Sequence, residues 1–438
     1  MMPGRLRTAV ASLLLVASGV ESAAAQGARP QDGEFSIAIV GDVILMRPWI
    51  DDPDTAFTQV VRGIRSADLA VGNLEMVLTE YRGFPQADPG GEWLSGGPPI
   101  ARSLAWAGFD MMGHANNHTF DYGSIGVLET HAIASDAGLV IAGSGKDLQE
   151  ARQPAYADRN GVRIGLVAMT SSFASYGAAS RSRPDLHGRP GLNPLRMPSD
   201  GKLLRLVNEI QRNLLDLLAR CGVCIQGIRL GAVDSKDRDA NLRAIREAAA
   251  NADFVVVSVH THGPGPWLED FAHQAIDAGA DVFFAHGSHA FAGVEIYKDR
   301  PIFYGMGNFV FESPPEHLPS DAYEQAGLTD RDGPLELEVR RTHGGRTGFH
   351  ARREVWEGIQ AEVLFNAHRL ERIEVLPLDL GFRKPLATKG KPTLARGALA
   401  AHIIANCAQW SLRHGTTVTY LPERGIGMIR PPAAPPHR

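Results

Sequence analysis

Short apolar runs alternate with amphipathic stretches along the first two thirds of the chain. Phe35–Val40, Leu69–Val71, Asp110–Met112, Arg163–Met169, Phe254–Val259 and Val282–Phe284 have strand length and little polar interruption, the pattern of strands buried on both faces. Ala56–Ser66, Ile100–Ala107, Ile125–Ala137, Arg238–Ala250 and Phe271–Ala278 repeat their apolar positions at helical spacing. Gly108, Gly138 and Gly279 follow three of these segments, where a glycine ends a helix in a left-handed conformation. Alternating strands and helices predict an α/β layered fold.

The pattern then changes. Val294–Tyr297 and Ile302–Gly305 flank Lys298-Asp299-Arg300 and predict a hairpin. Leu335–Val339 and Ile373–Leu376 alternate with period two, as half-solvated antiparallel strands do, so a mixed sheet is expected. Residues 184–199 and 312–334 are turn-rich and predict surface loops, and Gly201–Arg220 predicts a helix. With no internal repeat and no strong linker, residues 34–425 are expected to form one domain, followed by a loose proline-rich tail at 431–438.

The N-terminus has its own logic. Arg5 and Arg7 precede an apolar run from Ala9 to Val20 and the small residues Ser22–Ala25, which predicts a secretory signal over 1–25 and a periplasmic or secreted protein. An uncut signal acting as a membrane anchor is the other reading. Composition supports a large globular core: 438 residues, 44% hydrophobic, 21% charged and only 3 Cys. A net charge of −5 gives no general pull toward nucleic acid. Cys221 and Cys224 form a C-x-x-C after a predicted helix, which suits a structural loop or small disulfide better than a redox site; Cys407 stands alone.

The chemistry lies after the strands. Their carboxyl ends release Gly41-Asp42, Gly72-Asn73-Leu74-Glu75, Gly113-His114-Ala115-Asn116-Asn117-His118 with Asp121 beyond, His260-Thr261-His262 and His286-Gly287-Ser288-His289. In open α/β sheets that edge is where sites are built. Each residue has a plain explanation alone. Asp42 fits a turn, Glu75 a helix start, Asn116-Asn117 a tight turn, Asp121 a helix cap and His114 the core. Together they offer carboxylates, imidazoles and amides without a thiol, a set suited to one or two divalent ions and to metal-assisted hydrolysis. Trp267, Phe271 and Phe291 read as core. Gly143-Ser144-Gly145 lacks the frame of a serine nucleophile, a P-loop or a dinucleotide fingerprint. Arg181, Arg183 and Arg189 either hold an anion or belong to a solvated loop.

Gly41-Asp42-Val43-Ile44-Leu45, Gly72-Asn73-Leu74-Glu75, the run Ala115–Gly123, His286-Gly-Ser-His289, Arg189–Pro194, Tyr304-Gly-Met-Gly-Asn-Phe309, Lys391–Ala395 and Gly415-Thr416 resemble the CapA family of capsule and poly-γ-glutamate biosynthesis. The resemblance implies a calcineurin-like metallophosphatase fold, a four-layer αββα sandwich of two mixed sheets. It implies Asp42, Glu75, Asn117, His260, His286 and His289 as metal ligands, with Mn, Fe, Zn or Mg as the ion. His118 and Asp121 become the catalytic pair, and Asn73, His262 and Asn308 candidates for metal or substrate contact. Asp42-Val43-Ile44 lacks the superfamily's histidine two residues after the aspartate, Glu75 replaces a common aspartate, and two residues rather than one separate His286 from His289. These departures leave open whether one ion or two bind, and point to an altered activity. The implied partners are an anionic envelope polymer or its precursor and a membrane-bound synthase or export complex, with no nucleic acid. A non-catalytic accessory subunit is the rival reading.

Overall fold

Along the strand Glu34–Ile44 the side chains divide by alternation: Ile37 and Ile39 enter one apolar cluster, Ala38 and Val40 another. Successive strand side chains point to opposite faces, so this division marks a sheet covered on both sides. The computed structural model describes residues 33–50, 54–197, 233–313, 315, 317–329 and 331–431. Among them, a ten-stranded mixed sheet runs in the order Thr419–Leu421, Ile426–Ile429, Arg369–Asp379, Glu357–Asn366, Glu34–Ile44, Leu69–Leu74, Met111–Gly113, Val140–Ala142, with Asn308–Phe311 and Thr393–Leu394 pairing from the side. A six-stranded mixed sheet runs Val294–Tyr297, Arg300–Phe303, Val282–His286, Phe254–His260, Val162–Thr170, Ala155–Arg159.

The two sheets pack face to face through Ile37, Val71, Met111, Leu166, Val256 and Phe284. Helices Thr55–Arg65 and Pro98–Ala107 cover the outer face of the large sheet through Val60, Ile64, Ile100 and Leu104. Helices Ser235–Asn251 and Pro266–Asp277 cover the small one through Ile245, Leu268 and Phe271. The order helix, sheet, sheet, helix is the expected α/β sandwich. Helix Gly397–Leu412 closes against the inter-sheet core with Ile403, Ile404 and Cys407.

Local chemistry sets the boundaries. Asp54 caps the first helix by accepting from the N–H groups of Ala56 and Phe57 at 2.9 and 3.3 Å. Gly108 ends the second with φ of +99°. The predicted hairpin forms between Val294–Tyr297 and Arg300–Phe303, with Lys298 and Asp299 both at positive φ in its two-residue turn.

Two expectations are corrected. Leu335–Val339 is not a strand but part of helix Pro334–Arg341. Proline in the first turn starts it, and Leu, Glu and Arg are strong helix formers. Only Leu337 and Glu338 are buried there, while Leu335 and Val339 stay exposed, so the apparent alternation has no sheet to bury in. The loop expected over 312–334 contains helix Ser320–Gln325, pinned by Ala322 and Tyr323 against Trp93, Tyr122 and Leu337. The expected signal at 1–25, the helix Gly201–Arg220, the Cys221/Cys224 pair and residues 432–438 lie outside the described residues. No described helix is long and apolar enough to cross a membrane.

Candidate metal centre

Strand register fixes the centre first. In the large sheet Asp42 is the cross-strand partner of Asn73 on one side and Asn308 on the other. In the small sheet His260 is the partner of His286. Asp42 sits where the register slips toward both neighbours, and such an irregularity re-aims a side chain out of the ladder. Gly41 permits the close approach this needs. A Cβ there would lie 1.9 Å from the Gly307 carbonyl oxygen, which accepts the Asp42 N–H at 3.0 Å.

The Asp42 carboxylate is wholly buried. Gly287 N–H donates to both its oxygens, at 3.1 and 3.0 Å, and Asn73 Nδ2 donates to Oδ1 at 2.9 Å. Nδ1 of His286 and of His289 each lie 3.3 Å from it. Asn73 Nδ2 also lies 3.3 Å from Glu75 Oε2. Oε1 of Glu75 is 3.9 Å from His260 Nε2 and 4.0 Å from His289 Nε2. His260 Nε2 in turn is 3.1 Å from His262 Nε2.

Outer partners aim the imidazoles. Asn308 Nδ2 donates to the Val355 carbonyl at 2.8 Å, which turns its Oδ1 toward His289 Nδ1, also at 2.8 Å. An amide oxygen only accepts, so His289 Nδ1 is the donor of this pair, and Nε2 is the nitrogen turned toward Glu75. His286 Nε2 is 2.8 Å from Ser258 Oγ, leaving Nδ1 to face Asp42. These are the second contacts that metal-binding histidines make.

Protonation follows from crowding. Burial, then the Asp42 charge, pushes Glu75 well above the usual carboxylate range. Burial would also raise Asp42, but His286 and His289 hold it well below. Burial and the neighbouring His286 keep the His260 imidazole neutral far into acid, and burial with His289 lowers His262 to about 4. Glu75 Oε1, His260 Nδ1 and His286 Nδ1 are buried without a hydrogen-bond partner. Buried polar atoms are ordinarily satisfied. Three overlapping triads, Asp42–His260–His286, Glu75–His260–His262 and Asp42–Glu75–His289, each have ligand atoms within 4.8 Å of one another. Neutral imidazoles and crowded carboxylates with orphaned lone pairs fit divalent cations.

His118 and Asp121 form a pair at the end of Met111–Gly113. His118 Nδ1 is 2.8 Å from Asp121 Oδ2, and Asp121 is held by the N–H groups of Gly90 and Leu94 at 2.9 and 3.0 Å. Within the Asn doublet the structure joins Asn116 to the cluster, its Nδ2 donating to Asn73 Oδ1 at 3.0 Å and Leu74 O at 2.8 Å. Asn117 Nδ2 donates to Gly90 O at 2.6 Å, and its Oδ1 is buried without a hydrogen-bond partner. His114 belongs to the core, with Nδ1 2.9 Å from Ser144 Oγ. Arg183 pairs with Asp185 and Arg189 donates to Ala178 O, which matches a self-contained loop.

Sequence reasoning gave no site role to Ser258 or Gly287, and from the Asn116-Asn117 doublet it singled out Asn117. Ser258 had a signal: it is the lone polar residue in the apolar strand before His260, and two residues from it, hence on its face.

Residues 36–313 match the family described as bacterial capsule synthesis protein PGA_cap. The chain is 30% identical over 433 residues to the uncharacterized protein y4sH of Sinorhizobium fredii, covering 90% of this chain and 93% of that one. It is 26% identical to the capsule biosynthesis protein CapA of Bacillus anthracis, covering 75% and 73%. It is also 30% identical over 204 residues to a probable polyglutamine synthesis accessory protein of Mycobacterium tuberculosis, covering 45% and 43%. With a family match that takes in Asp42, Glu75, His118, His260, His286 and His289, the chain belongs to the CapA (PGA_cap) family of bacterial capsule synthesis proteins.

Proposed function

We propose that this chain is an exported metal-dependent hydrolase acting on a capsule or poly-γ-glutamate-like envelope polymer, or on its phosphorylated or lipid-linked precursor. The observation that carries this is the buried cluster in which Glu75 Oε1, His260 Nδ1 and His286 Nδ1 lack partners. Asp42, Glu75, His260, His286 and His289 would hold the ion or ions, with His262 at the open side. A divalent ion (Mn, Fe, Zn or Mg) supplies Lewis-acid polarisation and activation of water when bound.

The chain's own residues do the rest. Asp121, locked by two backbone N–H groups, keeps the proton of His118 on Nδ1 and leaves Nε2 to exchange a proton with substrate. Gly287 and Asn73 hold the Asp42 carboxylate in one orientation, so its charge stays where the donors converge. The anionic polymer and a membrane-bound synthase or export complex are the proposed partners.

The relative named an accessory protein favours a second reading, a subunit that assists polymer assembly or export without catalysis. Elemental analysis of purified protein, followed by assays on phosphoesters and γ-glutamyl amides, separates the two. Turnover that disappears in Asp42→Ala supports hydrolysis. A metal-loaded protein inert toward both bond types supports the accessory reading, and a wild type that binds no divalent metal overturns the proposal.

A further inference from the structure

The outer face of the small sheet carries another group of metal-type donors. Glu295 is the cross-strand partner of Ile302, whose side chain packs in the layer shared with helix Pro266–Asp277. Glu269 and His273 stand one turn apart on that helix. His414 comes from just beyond helix Gly397–Leu412. Ligand atoms of Glu269, Glu295 and His414 lie within 4.8 Å of one another. His273 Nε2 lies 3.1 and 2.9 Å from the two Glu295 oxygens.

The donors are also held in place. The His273 ring stacks on Tyr297 with centroids 4.0 Å apart, and the His414 ring on Tyr304 at 4.5 Å. Stacking fixes each ring without occupying its in-plane nitrogens, of which His273 Nε2 holds Glu295. Tyr304 OH donates to Glu295 Oε2 at 2.5 Å, an outer contact that orients a ligating carboxylate. Glu269 is exposed and His273 and Glu295 partly so, which gives an ion a way in. A simple His273–Glu295 ion pair explains two of these residues but not the convergence of Glu269 and His414.

We infer that Glu269, Glu295 and His414 form a further divalent-metal site, separate from the Asp42 centre, with His273 orienting Glu295 from outside, suited to a borderline ion such as Zn²⁺. Two carboxylates and one imidazole, with water completing the set, match that ion's preferences. The site draws on three segments remote in sequence, so the unfolded chain does not contain it and binding stabilises the fold.

The test uses full-length, metal-stripped protein titrated with Zn²⁺ by equilibrium dialysis, with Tm recorded at each concentration. Glu269→Gln and His414→Ala should each bind one zinc ion fewer than the wild type and lose part of the zinc-dependent rise in Tm. Asp42→Asn should keep that ion, and its bound zinc should show mixed nitrogen and oxygen ligation by X-ray absorption. Equal stoichiometry and an equal Tm response in the wild type and Glu269→Gln would overturn the inference. Because Glu269 is exposed, that variant decides the matter even where His414→Ala loosens the end of its helix.

Discussion

Gly287 and Asp42 stand 245 positions apart, yet the Gly287 N–H donates to both oxygens of the Asp42 carboxylate. Gly287 holds φ at +92°, and a Cβ on it would lie 2.5 Å from Cε1 and 2.7 Å from Nδ1 of His260. One residue without a side chain thus orients a carboxylate and leaves room for an imidazole. Gly287→Ala is expected to cost about 1–3 kcal/mol through its strained φ and to displace His260. Urea unfolding and elemental analysis of the purified variant check this. Wild-type stability together with full metal content would show that Gly287 has no such role.

The outer contacts lend themselves to a sharper measurement. Ser258→Ala removes the partner of His286 Nε2, and Asn308→Ala the acceptor for His289 Nδ1. Each should weaken metal binding about 10–100-fold while leaving far-UV circular dichroism unchanged. Competition with a chelator of known affinity reads the change. Undiminished affinity in both variants would mean that these imidazoles are aimed by something else.

The sequence discloses the ingredients of this centre better than their adjacency. Apolar runs that end in Asp42, Glu75, His260 and His286 announce strand ends rich in donors, because a buried strand leaves few other places for polar residues. Register is a different matter. Asn308 becomes the neighbour of Asp42 only because Asn308–Phe311 returns beside the first strand after some 265 residues, a crossover that no local pattern encodes. The doublet Asn116-Asn117 offers two equivalent amides, and only backbone geometry decides that Asn116 reaches Asn73. Leu335–Val339 misleads because leucine–glutamate alternation is compatible with a strand or with a half-exposed helix. The starting Pro334 tips the choice toward the helix.

Variants of His118 and Asp121 test catalysis separately from metal retention. On the hydrolytic reading, His118→Asn should lower turnover about 10²–10⁴-fold, with metal content unchanged. Asp121→Asn should also slow turnover, because an amide no longer accepts strongly from Nδ1–H and the ring loses its set tautomer. Steady-state assays paired with elemental analysis test both. Loss of metal in His118→Asn would instead make His118 a ligand.

Acid stability offers a test that does not depend on activity. His114 lies fully buried beside Ser144, and burial, followed by the nearby His131, lowers its pKa to about 3. The unfolded chain protonates this ring near its ordinary value of 6.5, while the folded chain refuses the proton until about 3. The resulting stabilisation is present above pH 6.5 and drains away as pH falls toward 3, at about 1.4 kcal/mol per pH unit. His114→Gln lacks the titrating ring, so its stability should fall less steeply than that of the wild type between pH 6.5 and 4.5. Urea midpoints of metal-stripped proteins across that interval provide the comparison. Parallel curves would mean that His114 accepts its proton without leaving the folded core.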